Sequence, residues 1–312
     1  MWIERGALAR SVDALTHPLP EADCRRPRHR PRVGLVHHVP FAKIYAPQRT
    51  IGSRLEEAFL NTNHAKMYVA INRLAIVSCV VGKSNMYRRS DISKLTGLPS
   101  ARNQYRTVKT RSSDDPETPT HSPGVSGLAA FGRFLAEDNM IADAIMCELG
   151  LLHSTSCDVA INTIGSMSFM DYVERRVRWI RVRKNMVLVA TLLEPLTECL
   201  VLCCVGAWGL GAFLKFPLWL FFSVHIGSWI AVDLGVYSAL AGYPLTMATL
   251  WPFIGAWALR EMLALPIWLI AIVGSDVIWR GEVYTVSFNG SVQRNESKTS
   301  RRRRYQALPV VT

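Results

Sequence analysis

Several common signatures are missing from this sequence. It has no Cys-x-x-Cys pair, no zinc-finger spacing and no Gly-x-x-x-x-Gly-Lys-Ser/Thr segment. The seven cysteines are odd in number, so we expect neither a disulfide framework nor a zinc site, and we favour a reduced, cytosolic environment. Charged residues interrupt the first 15 positions, so no signal peptide is expected there.

Acidic residues are scarce. The chain has 24 Asp and Glu against 36 Lys and Arg, a formal net charge of +12. Such a balance suits nucleic acid, an anionic membrane or a phosphate-bearing substrate. No nucleic-acid-binding motif accompanies it, and basic runs at Arg175–Lys184 and Arg301–Arg304 flank an apolar region. The placement predicts cytosolic flanks of membrane helices and no nucleic-acid partner.

The apolar residues are concentrated in the second half. Three blocks, Met186–Phe213, Pro217–Leu240 and Trp251–Val273, approach or exceed the roughly 20 residues that cross a bilayer. If the soluble half and the Arg301–Arg304 tail are both cytosolic, the number of crossings is even. We therefore expect one block, the first or the third, to lie in the interface or to turn back, because charges interrupt both.

The first 185 residues combine strand and helix patterns and predict an α/β domain. Expected strands cover Val33–Val39, Leu74–Val81 and Asp158–Asn162, and expected helices cover Leu55–Asn72, Phe134–Leu149 and a segment starting at Ser168. Pro99–Gly124 is polar and almost without aliphatic residues, which predicts a disordered insert. Residues 1–32 are expected to be a partial, irregular segment.

Glu137-Asp138 is a candidate for chemistry because the pair lies at the start of a predicted helix. Free backbone amides there stabilise carboxylates and are expected to keep Asp138 ionised. An ionised carboxylate can serve as the general base that deprotonates an acceptor hydroxyl. The alternative is an acidic pair that only caps the helix.

Arg175, Arg178 and Trp179 are spaced to share one helix face. Two guanidinium groups can hold a diphosphate leaving group, and an indole can pack on a sugar or an acyl chain. The alternative is an amphipathic helix whose Arg176, Arg181, Arg183 and Lys184 rest on anionic headgroups.

Three further features contain polar or charged residues that could serve binding or structure. Gly82-Lys83-Ser84-Asn85 follows a predicted strand and could bind phosphate or sugar, with a plain turn as the alternative. His64 is interpreted as a surface histidine on a polar helix face. Glu194 and Glu198 lie inside an apolar block, where charges are costly, so we expect them to pair with nearby arginines.

The order of these segments resembles that of ceramide glucosyltransferases, glycosyltransferase family 21, in their fungal form. The resemblance rests on Leu135-Ala136-Glu137-Asp138-Asn139, on Arg175-x-x-Arg178-Trp179, and on matches between residues 33 and 287 interrupted by Pro99–Gly124. Further matches are Val33-Gly34-Leu35-Val36-His37, Asn63-His64-Ala65-Lys66-Met67-Tyr68, Gly82-Lys83-Ser84-Asn85 and Glu194-Pro195-Leu196-Thr197-Glu198-Cys199.

The resemblance implies a GT-A-like nucleotide-sugar domain that faces the cytosol from a Golgi or ER membrane. The implied reaction transfers glucose from UDP-glucose to the primary hydroxyl of ceramide with inversion. Asp138 would be the base, with Glu137 beside it. Arg175, Arg178 and Trp179 would form the cradle, and His64, Gly82 and Ser84 would line the site. Membrane lipids are implied partners, and a homo-oligomer is left open.

The family also implies a divalent cation, Mg or Mn, held by an Asp-x-Asp motif, and no Asp-x-Asp occurs in this chain. Trp2–Thr16 resembles the stretch that follows that motif. We therefore expect this chain alone to be an inactive portion of such an enzyme. The expected division is a catalytic portion at 33–185, membrane helices at 186–280 and a basic cytosolic tail at 281–312.

Three alternatives stay open. A processive polysaccharide synthase has a similar acidic pair and arginine-tryptophan helix, but needs more membrane crossings. A non-catalytic membrane-bound binding or regulatory protein could retain a degenerate fold. A small multi-pass transporter is the third, disfavoured by the large soluble half.

Overall fold

The structure is a computed structural model that describes residues 2–17, 32–45, 47–74, 78–97, 126–214, 217–287 and 290–300. The predicted insert Pro99–Gly124 and the Arg301–Arg304 run lie outside the described residues.

The described part alternates strands and helices before it becomes helical. The strands are β1 (Trp2–Ile3), β2 (Val33–Ile44), β3 (Asn85–Tyr87), β4 (Leu152–Ile164), β5 (Asp276–Trp279), β6 (Glu282–Val286) and β7 (Val292–Arg294). The helices are α1 (Ala7–Thr16), α2 (Ile51–Phe59), α3 (Ala65–Leu74), α4 (Arg89–Ile92), α5 (Glu137–Cys147), α6 (Phe169–Met186), α7 (Leu188–Leu193), α8 (Cys199–Leu214), α9 (Leu218–Ala241) and α10 (Met247–Val273). A π-helical segment covers Leu60–His64, and 3-10 turns cover Gly127–Phe131 and Glu194–Thr197.

The central sheet has four strands in the order β1-β4-β2-β3. Strands β2 and β4 run parallel, while β1 and β3 pair antiparallel at the edges. Eleven of the twelve residues of β2 are buried, as expected for a central strand covered by helices on its faces. The α/β prediction is confirmed.

Several predicted boundaries differ from the structure. Strand β4 has 13 residues rather than the predicted 158–162. Its many polar residues do not give a strand pattern in the sequence, and its full length depends on pairing with β2. The strand predicted at 74–81 is wrong where the structure describes it, since Leu74 ends α3 and residues 78–81 are not in a strand. Residues 2–16 form β1 and α1 instead of an irregular segment.

Helix α6 starts where the sequence predicts. The Ser168 hydroxyl accepts a hydrogen bond from the Asp171 amide at 3.1 Å, and the Asp171 carboxylate accepts one from the Ser168 amide at 3.0 Å. This reciprocal cap satisfies two amides that a helix start leaves unpaired. It fixes the first turn of the helix that carries Arg175, Arg178 and Trp179.

Two of the predicted apolar blocks are single long helices, α9 and α10, each long and apolar enough to cross a membrane. The first block is broken, because the segment Leu188–Thr197 meets α8 at a bend of 72°. Of the two blocks expected to deviate from a simple crossing, the first therefore does so. How many segments cross the bilayer remains a prediction.

A second sheet, of order β5-β6-β7, follows α10. Its β6 and β7 occupy residues that the sequence assigns to a basic tail. The sheet packs on α6 through Val182, Val277 and Val286. The folded part of the chain therefore extends beyond the predicted end of the membrane region.

Candidate active site

Asp138 lies in the first turn of α5, as predicted, and the chain around it fixes its carboxylate. One oxygen accepts a hydrogen bond from the Gly82 amide at 2.6 Å. The other accepts bonds from the amide and the side chain of Asn139, at 2.8 and 3.1 Å. Asn139 in turn accepts a bond from the Val80 amide at 3.0 Å. These contacts hold the carboxylate between α5 and the loop before β3.

The protonation of Asp138 differs from the expectation. Burial raises the pKa of Asp138 above its usual range, and the hydrogen bonds from Asn139 and Gly82 oppose this only in part. The neighbouring carboxylate of Glu137 raises the pKa of Asp138 further. Helix-start amides therefore do not dominate. A raised pKa brings the carboxylate closer to the proton affinity of an effective general base.

Asp138 borders a cavity of about 660 Å³ lined by α3, α5, α6 and α7. Most of its lining is aliphatic or aromatic, from residues such as Ile71, Leu74, Val182 and Leu188. The cations Arg176, Arg178 and Arg183 enter it from α6. A mostly apolar cavity with a few convergent polar groups is typical of a small-molecule site.

Trp179 and Arg178 line this cavity as predicted. The Trp179 ring packs edge-on against Phe59, with centroids 6.4 Å apart. Burial and the positive charge of Arg175 lower the pKa of Arg178. Both side chains are therefore held where a ligand in the cavity would meet them.

Arg175 is placed differently from the prediction. Its guanidinium donates a hydrogen bond of 2.7 Å to the buried Glu56 and stacks on the Trp179 ring at 4.9 Å. Its side chain does not line the cavity. Arg175 therefore positions Trp179 and neutralises Glu56.

We expect Arg175→Gln to lower the free energy of unfolding by about 1–3 kcal/mol, because it leaves Glu56 buried without its charged partner. The melting temperature of the purified chain measures this. Adding Glu56→Gln should recover part of the loss, since the unpaired charge is then gone. An unchanged melting temperature in the single variant would contradict a positioning role.

Arg176 is the residue that the sequence interpretation missed. Only 5% of it is exposed, its guanidinium lies 3.4 Å from the Phe59 ring centroid, and its Nη1 has no hydrogen-bond partner among the described residues. Burial lowers the pKa of Arg176. The sequence offers one signal, five arginines within nine residues, but it does not tell which of them is buried.

The headgroup alternative for α6 is not supported by the other cations either. Arg181 and Lys184 donate hydrogen bonds to carbonyls at the end of α10 and beyond it, including those of Ile272 and Asp276, at 2.9 and 2.6 Å. Arg183 pairs with Glu194. The latter pairing confirms the expected partner class for Glu194.

His64 is not a surface residue. It ends the π-helical segment and is buried between Phe59, Tyr68 and Trp179, with ring centroids 5.6 to 5.9 Å away. Burial, with Arg176 and Arg183 nearby, lowers the pKa of His64 to about 3. The ring lines the cavity and stays neutral at physiological pH. Its Nδ1 has no hydrogen-bond partner within the part of the chain that the structure describes.

The remaining predicted residues divide into two groups. Gly82 supports Asp138 directly, and a Cβ there would lie 3.3 Å from the Asp138 oxygen. Ser84 contacts His38 at 3.0 Å, and Glu137 is exposed. Neither Ser84 nor Glu137 lines the cavity.

The implied divalent cation does not fit the described residues. Among them, no group of three or more His, Cys, Asp or Glu side chains could hold a metal ion. The Asp138 carboxylate faces amide donors, and the cations around it come from arginines. No step of the reaction is therefore assigned to a metal here.

Comparison with known proteins gives several matches. The ceramide glucosyltransferase of Komagataella phaffii is 41% identical over 245 residues, 75% of this chain and 47% of that protein. The one of Candida albicans is 34% identical over 65% of this chain and 38% of its own length. The one of Pyricularia oryzae is 32% identical over 77% of this chain and 49% of its own length. No solved structure matches the chain.

The aligned regions amount to about half the length of these relatives, or less. The family model described as glycosyl transferase family 21 matches residues 23–104 and 124–292, which include Asp138, the Arg175–Trp179 helix face and both long apolar helices. The chain belongs to glycosyl transferase family 21.

Proposed function

We propose that this chain carries the catalytic base and the acceptor-binding cavity of an inverting, UDP-glucose-dependent ceramide glucosyltransferase. The observation that carries the proposal is Asp138, anchored by Gly82 and Asn139 at the wall of a mostly apolar cavity. The names of the relatives supply the substrate class. They favour a transferase over a non-catalytic protein or a processive synthase.

The cavity suits the two ends of the acceptor. Ceramide has long hydrocarbon chains and a primary hydroxyl. The aliphatic wall formed by α3 and α7 removes apolar chain from water, which is favourable in proportion to the area buried. The carboxylate of Asp138 is the base that receives the hydroxyl proton.

The proposed step is a direct displacement. Asp138 takes the proton of the acceptor hydroxyl while the hydroxyl oxygen forms a bond to the anomeric carbon of UDP-glucose. The bond from that carbon to the diphosphate oxygen breaks, and UDP leaves on the opposite face of the sugar. Inversion follows from this geometry. Arg176 and Arg178 form no ion pair with a carboxylate among the described residues. Their positive charges can therefore stabilise the negative charge of the leaving diphosphate.

We infer a GT-A-like nucleotide-sugar fold for the α/β part and a Golgi or ER membrane location with that part facing the cytosol. The support is the parallel pairing of β2 and β4 and the two long apolar helices. UDP-glucose, ceramide and membrane lipids are the proposed partners.

Transfer is best assayed in a chimera, because the chain spans about half of its relatives. In it, the aligned 245 residues of the Komagataella phaffii enzyme are replaced by the matching part of this chain. We expect glucosylceramide formation by the chimera. A chimera that is folded and membrane-inserted but inactive, beside an active parent, would contradict the proposal.

A further inference from the structure

A separate cavity of about 210 Å³ lies where the start of α2 meets the turn between α9 and α10. Its walls come from the end of β2, the loop before α2, and the first turns of α10. None of its lining residues borders the candidate active site. The chemistry of this cavity is therefore independent of the proposed transfer.

Two arginines give the cavity its charge. Arg49 and Arg54 line it, and neither guanidinium makes a hydrogen bond or close ion pair within the described part of the chain. The opposing acid in the wall is Glu57. Burial raises the pKa of Glu57 to about 7, although both arginines and the Ile44 amide oppose the shift. The wall therefore carries a net positive charge near neutral pH.

The start of α10 adds backbone donors. Thr246 precedes the first turn without capping it, and its hydroxyl instead contacts that of Thr249 at 3.0 Å. Thr246, Ala248 and Thr249 all line the cavity. The Thr249 amide donates to the Thr246 carbonyl at 2.9 Å, whereas the Met247 and Ala248 amides have no acceptor among the described residues. Free amides at the start of a 27-residue helix favour an anion beside them.

The surroundings of the cavity are apolar and exposed. Tyr243, Met247 and Trp251 are 50%, 77% and 69% exposed. Tyr243 lines the cavity, and Met247 and Trp251 are next in sequence to lining residues of α10. Tyr and Trp concentrate at membrane–water interfaces. An anion bound beside these exposed aromatic residues is therefore more readily a lipid headgroup than a free ion.

We propose that this cavity binds the phosphodiester of an anionic glycerophospholipid, held by Arg49, Arg54 and the first amides of α10. The two guanidinium groups disfavour a headgroup that carries its own cation, because like charges repel. The site therefore distinguishes phosphatidylglycerol from phosphatidylcholine, which share the phosphodiester and differ in headgroup charge.

The test measures binding of short-chain phosphatidylglycerol to the full chain in neutral detergent, with short-chain phosphatidylcholine and inorganic phosphate as the other probes. We expect phosphatidylglycerol to bind at least about tenfold more tightly than either. The variant Arg49→Gln/Arg54→Gln should lose this preference. The matched variant Arg5→Gln/Arg89→Gln makes the same charge change at exposed positions away from the cavity and should retain it.

Equal losses in the two double variants would show a general charge effect and would overturn the proposal. Inorganic phosphate that binds as tightly as phosphatidylglycerol would overturn the lipid assignment. Equal binding of phosphatidylcholine would do the same.

A second readout uses Glu57, which faces Arg49, Arg54, Tyr237 and Tyr243 around the cavity. The carboxyl is neutral below its raised pKa and anionic above it, so ionisation repels the phosphodiester. Affinity for phosphatidylglycerol should fall as pH rises from 6 to 8, and Glu57→Gln should flatten this dependence. An equal fall in both proteins would overturn the placement of the lipid in this cavity.

Discussion

Replacing Asp138 by Asn is expected to lower glucosyl transfer to ceramide in the chimera by about 10²- to 10⁴-fold. That is the usual contribution of a positioned general base. Asn keeps the size of the side chain and one acceptor oxygen for Gly82 or Asn139, but it cannot accept the hydroxyl proton. The loss should appear in kcat, because the acceptor still enters the cavity.

Asp143→Asn is the matched control, since Asp143 lies on the same helix and lines the same cavity. It should change transfer by far less. Comparable losses in the two variants would show that negative charge near the cavity matters rather than a base at position 138.

The pH dependence of glucosyl transfer follows from the pKa of Asp138. The base acts ionised, and burial raises the pKa of Asp138, so transfer should rise with pH through that raised value and then level off. His64 should not contribute, since it is already neutral above pH values near 3.

Replacing Arg260 by Met is expected to lower the free energy of unfolding by about 3–5 kcal/mol, because it leaves buried carboxylates without their cation. Arg260 is 2% exposed, donates to Glu198 at 2.8 Å and also pairs with Glu261. Glu198 additionally accepts a bond from Asn63 at 2.8 Å. This buried cluster therefore connects α10 to the bend before α8 and to the segment that carries His64.

The melting temperature of the detergent-solubilised chain measures this effect, with an expected fall on the order of 10 °C. Arg294→Met is the matched control, because the Arg294–Glu282 pair has a half-exposed guanidinium and exposed pairs contribute about 0–1 kcal/mol. Similar falls in both variants would contradict a stabilising role specific to the buried cluster.

The sequence predicts what local patterns control. The start of α6 follows from the Ser168 cap, and the long apolar helices follow from composition. These features depend on neighbours a few residues apart. The structure therefore agrees with the prediction there.

The failures share a different cause, which is tertiary contact. The polar character of His64 predicts a surface position, and the headgroup alternative for α6 places Arg176 there too. The aromatic rings of Phe59 and Trp179 cover both side chains instead. The extra length of β4 depends on β2, which is more than 100 residues away. No local pattern carries that information.

In the proposed reaction, the cavity between α3, α5, α6 and α7 holds the ceramide acceptor. The most direct measurement is photo-cross-linking of the full chain with a ceramide that carries a photoactivatable group in its acyl chain, followed by peptide mapping. We expect labelled peptides from α3 and α7, around Ile71 and Leu188, and loss of this label with excess unlabelled ceramide. Labelling confined to the exposed faces of α9 and α10, insensitive to competition, would contradict the claim.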